Sequence, residues 1–483
     1  MSVASDPPLL THAAGATLRE QLAQRFAERI GQRLLPPGAR LPSVRDCAQR
    51  HRVSVSTVVG AYDLLLAQGL VEARPQRGFF VRDPVQAQAG STRLRQPAPD
   101  GVAARAPASL PAPVDATALI RSMFQAQDGR LSPGMGTLPE DWLDAGLLQR
   151  ALRRVSGPAA AAGWLRYGDP AGDIALRNAL SHRLGDIGIR ATAAQIVTTV
   201  GATRALDIVS RTLLRPGEAV LVDEPGWAVE FARLTHAGMR LLPVPRGVDG
   251  PDLAVMEALL REHRPHLYVT VSVLHNPTGC SLGAACAHQV LRLAEKHELT
   301  IVEDDTYAWL APPHATRLAQ LDALQRTIYV SGFSKILTPQ WRVGYLAAPP
   351  ALAERFIDTK LLSTLSSPGP LEQSLAWCLE QGLLRRHAER VVARLDAARV
   401  RTEKLAAEAG ARFVTPPRGL FGWIDVGVDT EPLAQRLLDE GWLTAPGALF
   451  HATRRPSSLM RINFATSQEA RFWRHLSGLI GSG

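Results

Sequence analysis

Between residues 84 and 115 the chain lacks what a folded core needs. Half of these 32 residues are Pro, Ala or Gly, and none is aromatic. Such a stretch buries too little apolar surface to offset the entropy lost on ordering, so a flexible linker is expected there. It divides the 483 residues into a small piece, residues 10–83, and a large one, residues 116–483. A hydrophobic content of 46% is ample for globular cores on both sides. No run of about 18 apolar residues is present, so no membrane contact is expected. The opening MSVASDPPLL lacks the basic and apolar stretches of a secretory signal. The four cysteines, Cys47, Cys280, Cys286 and Cys378, form no CxxC pair. That usage fits a reduced, cytoplasmic protein. No His/Cys/Asp cluster has metal-ligand spacing, and no metal site is expected.

In the small piece, Leu18, Leu22, Phe26 and Ile30 recur at helical spacing, and Pro36-Pro37-Gly38 ends that helix. Ser43 can cap a short second helix, and Ser54 or Ser56 a third that Gly69 ends. LVEARPQRGFFV then reads as two strands joined by a turn around Pro75–Gly78. Three helices and a hairpin in this order make a winged helix-turn-helix, which would bind double-stranded DNA with its third helix in the major groove. Residues 1–83 carry eleven Arg, no Lys and seven acidic residues, a net charge of +4. Arg40, Arg45, Arg52 and Arg77 supply forked donors. Ser54, Ser56 and Thr57 stand at a helix N-terminus, where anions are favoured. A small helical interaction module with a solvated Arg face would share these features. The extended string LPPGARLPSVRDCAQRHRVSVSTVVGAYDLLLAQGLVEARPQRGFFV, with its PGxRLPSxR and VSxxTV landmarks, resembles the DNA-binding domain of GntR-type regulators. That family usually has Arg where this chain has Val55.

The large piece alternates apolar runs (QIVTTV, AVLVDE, LYVTVS, LTIVEDD, TIYVSG, VGYLAAP) with helical stretches, the pattern of a mostly parallel sheet flanked by helices. The chain has four lysines. Lys296, Lys360 and Lys404 lie in charged helical stretches and read as solvated. Lys335 follows a strand in SGFSK, among small residues, and would point into the ligand edge of the sheet. Asp304 ends another apolar strand, where a carboxylate needs a cationic partner. A protonated pyridine nitrogen is one. Tyr307 and Asn276, after strands at the same edge, can reach a phenolic oxygen. NPTG alone would be an ordinary turn.

The ordered set YGDPAG, VGATRALD, DEPGW, HNPTG, EDDTY, SGFSK, RVGY, LFGW and RINF resembles the fold-type I aminotransferases over about residues 130–470. The resemblance implies an α/β major domain with a mostly parallel sheet, a smaller C-terminal α+β lobe, and pyridoxal 5'-phosphate as cofactor. It implies Lys335 as the Schiff-base lysine, Asp304 on the pyridine nitrogen, and Asn276 and Tyr307 on the phenolic oxygen. Trp227 would stack on the ring, where the family more often has Tyr or Phe. Ala202, Thr203, Ser334 and Arg342 would hold the phosphate. Arg461 would take a substrate carboxylate. Tyr167 would reach the phosphate of a neighbouring subunit, which implies a homodimer. The phosphate turn departs from the family at Thr203-Arg204, as does the sequence at Gly332 and Arg418-Gly419.

A GntR-type head, a linker and an aminotransferase-like domain in this order resemble the MocR group of bacterial regulators. The expectation is a transcription regulator that senses pyridoxal phosphate, or an amine or amino-acid effector, in its large domain. The alternatives are an active aminotransferase with a dispensable DNA-binding arm, and a vitamin B6 storage or interaction protein.

Overall fold

The computed structural model describes residues 16–31, 35, 37–74, 77–82, 132–157 and 163–481. The expected linker, 84–115, lies outside them. The chain divides into two compact units, one within residues 1–130 together with 435–442, the other of 131–434 and 443–483.

The first unit has α1 (Leu18–Gly31), α2 (Val44–His51), α3 (Val55–Ala67) and the hairpin β1 (Val71–Arg74) with β2 (Gly78–Val81). Ser43 caps α2 by accepting from the Asp46 N–H, and Ser54 caps α3 by accepting from the Thr57 N–H at 3.1 Å. Ser56 sits inside α3, so the cap falls to Ser54. Arg52 closes α2 in the left-handed region, φ 52°. The hairpin pairs antiparallel, Val71 opposite Val81 and Arg74 opposite Gly78. Leu22, Phe26, Val58, Tyr62, Leu65 and Val81 are among the residues that form the core. Tyr62 lies edge-on to both Phe26 and Phe79, and its hydroxyl reaches the Pro42 carbonyl at 2.9 Å, so its polar end is satisfied.

The second unit is built on a seven-stranded sheet. Its strands are β3 (Ile196–Thr199), β4 (Ala219–Glu224), β5 (Arg240–Pro245), β6 (Leu267–Thr270), β7 (Thr300–Asp304), β8 (Thr327–Gly332) and β9 (Gly344–Ala347), in spatial order β3-β9-β8-β7-β6-β4-β5. β4 to β8 are parallel, and β9 runs against its neighbours β3 and β8. β3 therefore points the same way as β8. The C-terminal ends of β3, β4, β6, β7 and β8 and the N-terminal end of β9 share one edge, where α/β folds bind ligands. The interior strands are apolar on both faces because helices cover both faces. A second, antiparallel sheet of β10 (Arg412–Phe413), β11 (Phe421–Asp425), β12 (Ala445–Pro446) and β13 (Leu459–Asn463) forms the smaller lobe, in order β10-β11-β13-β12.

One lysine departs from expectation. Lys360, on the helix Pro350–Thr364, is fully buried, with Nζ 3.5 Å from Thr198 Oγ1. Burial lowers its pKa to about 8, against the opposing pull of Glu372 and Asp169. Charged neighbours in sequence made it read as solvated, but its own turn faces the sheet. Lys296 and Lys404 are exposed and pair with Glu257 and Glu408.

Candidate functional site

The sheet edge collects the expected residues from five strand ends. Asp304 ends β7, Lys335 follows β8, Asn276 and Trp227 follow β6 and β4, and the helix Ala202–Leu213 follows β3.

Asp304 is nearly fully buried and accepts from the Thr306 N–H at 3.1 Å and from the Thr306 hydroxyl. Burial pushes its pKa up to about 7, although the Thr306 bonds act the other way, and Glu230 adds repulsion. None of the described ion pairs reaches this carboxyl. A buried acid at the end of a strand, in none of the described ion pairs, fits a group that brings its own positive charge.

Lys335 lies near enough to feel that carboxyl. Its Nζ donates to the Gly136 carbonyl at 2.8 Å. Burial first, then the Arg461 charge, lowers its pKa to about 8, while Asp304 pulls upward. The amine is therefore partly neutral near physiological pH, as a nucleophilic lysine must be.

Arg461 reaches the same space from β13. It is buried, with Nη1 on Asn276 Oδ1 at 2.9 Å and Nη2 on the Gly134 carbonyl at 2.6 Å. Its Nε has no partner. The guanidinium lies over Phe421 and Phe450, 4.4 and 5.1 Å from their ring centres. Burial depresses its pKa to about 10. An apolar-walled guanidinium with a spare donor and no carboxylate partner fits an incoming carboxylate. Because Asn276 Oδ1 accepts from Arg461, the amide is oriented with its Nδ2 as a donor. Tyr307 stands beside Asn276 and edge-on to Phe421, and burial raises its pKa. Trp227 and Asp304 line one small cavity with Asp223, Thr270 and His275.

The turn expected to hold phosphate has a backbone geometry suited to an anion. Gly201 sits at φ 80° as the N-cap of the helix Ala202–Leu213 and offers no capping side chain. The Ala202 and Thr203 N–H groups open this helix, where free N–H groups and the helix dipole favour anions. The turn is tightly packed: a Cβ at Gly344 would come 2.4 Å from the Gly201 carbonyl carbon. Arg342 borders the turn, donating to Ser334 Oγ and to the Val200 carbonyl, each at 3.3 Å. At Gly332 a Cβ would meet Ala202 at an ordinary 3.5 Å.

The structure thus brings together Lys335, Asp304, Asn276, Tyr307 and Arg461, with Trp227 beside Asp304 and the group Ala202, Thr203, Ser334 and Arg342 on the same edge. Tyr167 is not part of this cleft; it lies 86% exposed on a loop. Sequence reasoning missed the segment 132–138. Its Gly134 and Gly136 carbonyls hold Arg461 and Lys335, and its Met135 and Thr137 carbonyls accept from Asn463 Nδ2. The paired glycines of PGMG were the available signal. A Cβ at Gly134 would strike the backbone of Thr444 at 2.5 Å. Also unforeseen is a buried network around Asp223, which accepts from Tyr268, Thr270 and Arg246.

On the first unit, every expected DNA-contacting residue is on the surface or partly so. Arg40, Ser43, Arg45, Arg52, Ser54, Ser56 and Arg77 are exposed and Thr57 is half-buried. None of the four arginines takes part in a described ion pair, which leaves their forks free for phosphate.

Comparisons with known proteins agree with both halves. Residues 134–475 match the family Aminotransferase class I and II, and residues 18–81 match Bacterial regulatory proteins, gntR family. The HTH-type transcriptional regulator TauR of Rhodobacter capsulatus is 30% identical over 477 residues, 93% of each chain. The uncharacterized HTH-type transcriptional regulator YdcR of Escherichia coli is 28% identical, covering 92% of this chain and 94% of that one. A 2-aminoadipate transaminase of Thermus thermophilus is 29% identical over 61% of this chain and 78% of its own. Among solved structures, LysN, an α-aminoadipate aminotransferase of Thermus thermophilus, has the same fold (TM-score 0.68, 24% identity, 75% of this chain and 95% of that one).

Proposed function

The chain belongs to the regulators that join a gntR-family helix-turn-helix to an aminotransferase class I and II domain, the MocR arrangement, and from that premise we propose that it is a cytoplasmic homodimer whose cleft senses an amine or amino acid through pyridoxal 5'-phosphate and passes that state to DNA. The observation that carries this reading is Asp304, a buried carboxyl in none of the described ion pairs, in a cleft that also holds a lysine of lowered pKa. When bound, the cofactor supplies an aldehyde open to amines and a pyridine nitrogen whose positive charge matches Asp304.

The chain's own groups do the rest. Trp227 would cover one ring face, and Asn276 Nδ2 and Tyr307 would donate to the phenolic oxygen. The Ala202 and Thr203 N–H groups, Ser334 and Arg342 would hold the phosphate. Lys335 would supply the amine that meets the cofactor's aldehyde, a place that an effector amine would contest. Arg461 selects effectors that carry a carboxylate, with Phe421 and Phe450 keeping water from it. The homodimer reading is supported by large exposed side chains, Leu165 and Tyr167 on a loop and Leu362 and Leu365 at the end of the helix Pro350–Thr364, with Gly168 beside Ser366. Tyr167 would serve the partner's phosphate from there. An effector shifts DNA binding only if it has different affinity for two dimer states, each of which spaces the two heads differently.

Incubation with pyridoxal phosphate followed by borohydride should leave a reduced adduct on Lys335, and Lys335→Ala should leave none while keeping its fold and its DNA affinity. An adduct spread over surface lysines, or none, would overturn the reading. The full set of cleft residues also supports amino-group transfer, as in the transaminase relative. Rapid turnover with 2-oxo acids and no DNA binding would favour that enzyme reading.

A further inference from the structure

The recognition helix carries a feature that its fold does not explain. α3 buries Val58, Ala61, Tyr62 and Leu65. On the flank of that stripe, Val55 is 52% and Val59 41% exposed. They are the exposed large hydrophobics among the described residues of the first unit. Neither burial nor helix propensity favours valine at these sites, since β-branching costs rotamer freedom in a helix. A single exposed apolar residue needs no explanation. Two of them stand one turn apart at the N-terminal end of the helix that a helix-turn-helix lays in the major groove, and that end contacts the bases. The same unit presents Arg40, Arg45, Arg52 and Arg77, exposed and in none of the described ion pairs, a charge pattern complementary to a duplex backbone.

In the major groove, the apolar group on a base edge is the thymine C5 methyl. We propose that Val55 and Val59 read thymine methyl groups, so that the chain's preferred operator carries thymines at two fixed positions in each half-site. Four residues of helix rise about 6 Å, close to two base-pair steps, so the two thymines stand about two steps apart. The hydroxyls of Ser54 and Ser56, hydrogen-bonded to each other at 2.8 Å, sit beside Val55 and hold the helix end on phosphate. The arginines supply affinity, and the valines supply sequence preference.

This inference rests on the DNA-binding reading above, and the experiment separates the two. Duplexes that bind tightly are selected from a random library with full-length holoprotein. Each thymine is then replaced singly by deoxyuridine, which lacks only the methyl. The expected result is a loss of about fourfold at each of two recurrent positions, the worth of one buried methyl-sized group. Val55→Ala removes the loss at one position and Val59→Ala at the other, with salt dependence unchanged. Both substitutions are on the surface, and matching melting curves verify that the fold is kept. Recurrent thymines whose methyls do not matter, the same methyl effect in both Ala variants, or no recurrent thymine would overturn the proposal alone. Failure to enrich any duplex would overturn it together with the DNA-binding reading.

Discussion

The two units place their unpaired charges in opposite environments. In the winged-helix unit, Arg40, Arg45, Arg52 and Arg77 face water, where salt screens them and loss of one is mild. In the aminotransferase-like unit, Asp304, Lys335 and Arg461 are withdrawn from water, each with a pKa displaced by burial. The first arrangement suits a long polyanion met at a surface, and the second a small molecule whose charges complement the cleft. The head should therefore respond to ionic strength and the cleft to pH and to cofactor.

The sharpest way to test that contrast is at Arg461. Arg461→Ala should weaken the response to amines bearing a carboxylate by ~100-fold, about 3 kcal/mol, and leave the response to simple amines within a few-fold. Titration of a matched amino acid and amine against the cofactor's absorbance checks this. Equal losses for both would mean that the guanidinium only props the cleft.

Next in size is the pH dependence of the cofactor-free protein. Asp304 has a folded pKa of about 7, above its ordinary value of 3.8, so its contribution is full at low pH and is lost as pH rises towards 7. Lys335 is depressed from 10.5 to about 8, so its contribution is full above 10.5 and is lost as pH falls towards 8. Both groups are charged and poorly solvated between about pH 7 and 8, which makes the apo cleft least stable there. Denaturant unfolding against pH should show that minimum, and Asp304→Asn should remove up to roughly 4 kcal/mol of its acidic side. A wild-type curve flat from pH 4 to 8 would show that another cation already serves Asp304.

The smallest effect belongs to the head. Arg52→Ala or Arg45→Ala should weaken DNA binding by only several-fold at moderate salt and lower the slope of log affinity against log salt by about 1. A drop of the same ratio at every salt concentration would mean that the arginine contacts no phosphate.

Much of this was readable from sequence, for reasons that differ by element. The caps Ser43 and Ser54, the apolar spacing of α1 and the hairpin turn are local signals, and the winged helix is made of them. The parallel strands announce themselves as apolar runs because helices bury both faces. Lys335 and Asp304 were legible because they are polar residues at strand ends, where few polar residues belong. β5 was not, since Pro243 and Pro245 break its pattern and only an edge strand tolerates them. The Gly134 and Gly136 carbonyls were hidden because backbone groups have no sequence signature and lie some 200 residues or more from the side chains they meet. Lys360 was misread because helix phase against a distant strand is not a local property.

The central claim is that the buried cleft and the exposed head share one equilibrium. It is tested most directly by the affinity of the holoprotein for its own upstream DNA, measured with and without a panel of amino acids. The account predicts that at least one amino acid shifts that affinity by fivefold or more, and that Lys335→Ala abolishes the shift while still binding DNA. An amino acid that changes the cofactor spectrum fully yet leaves DNA affinity untouched, with no other member of the panel moving it, would contradict the account.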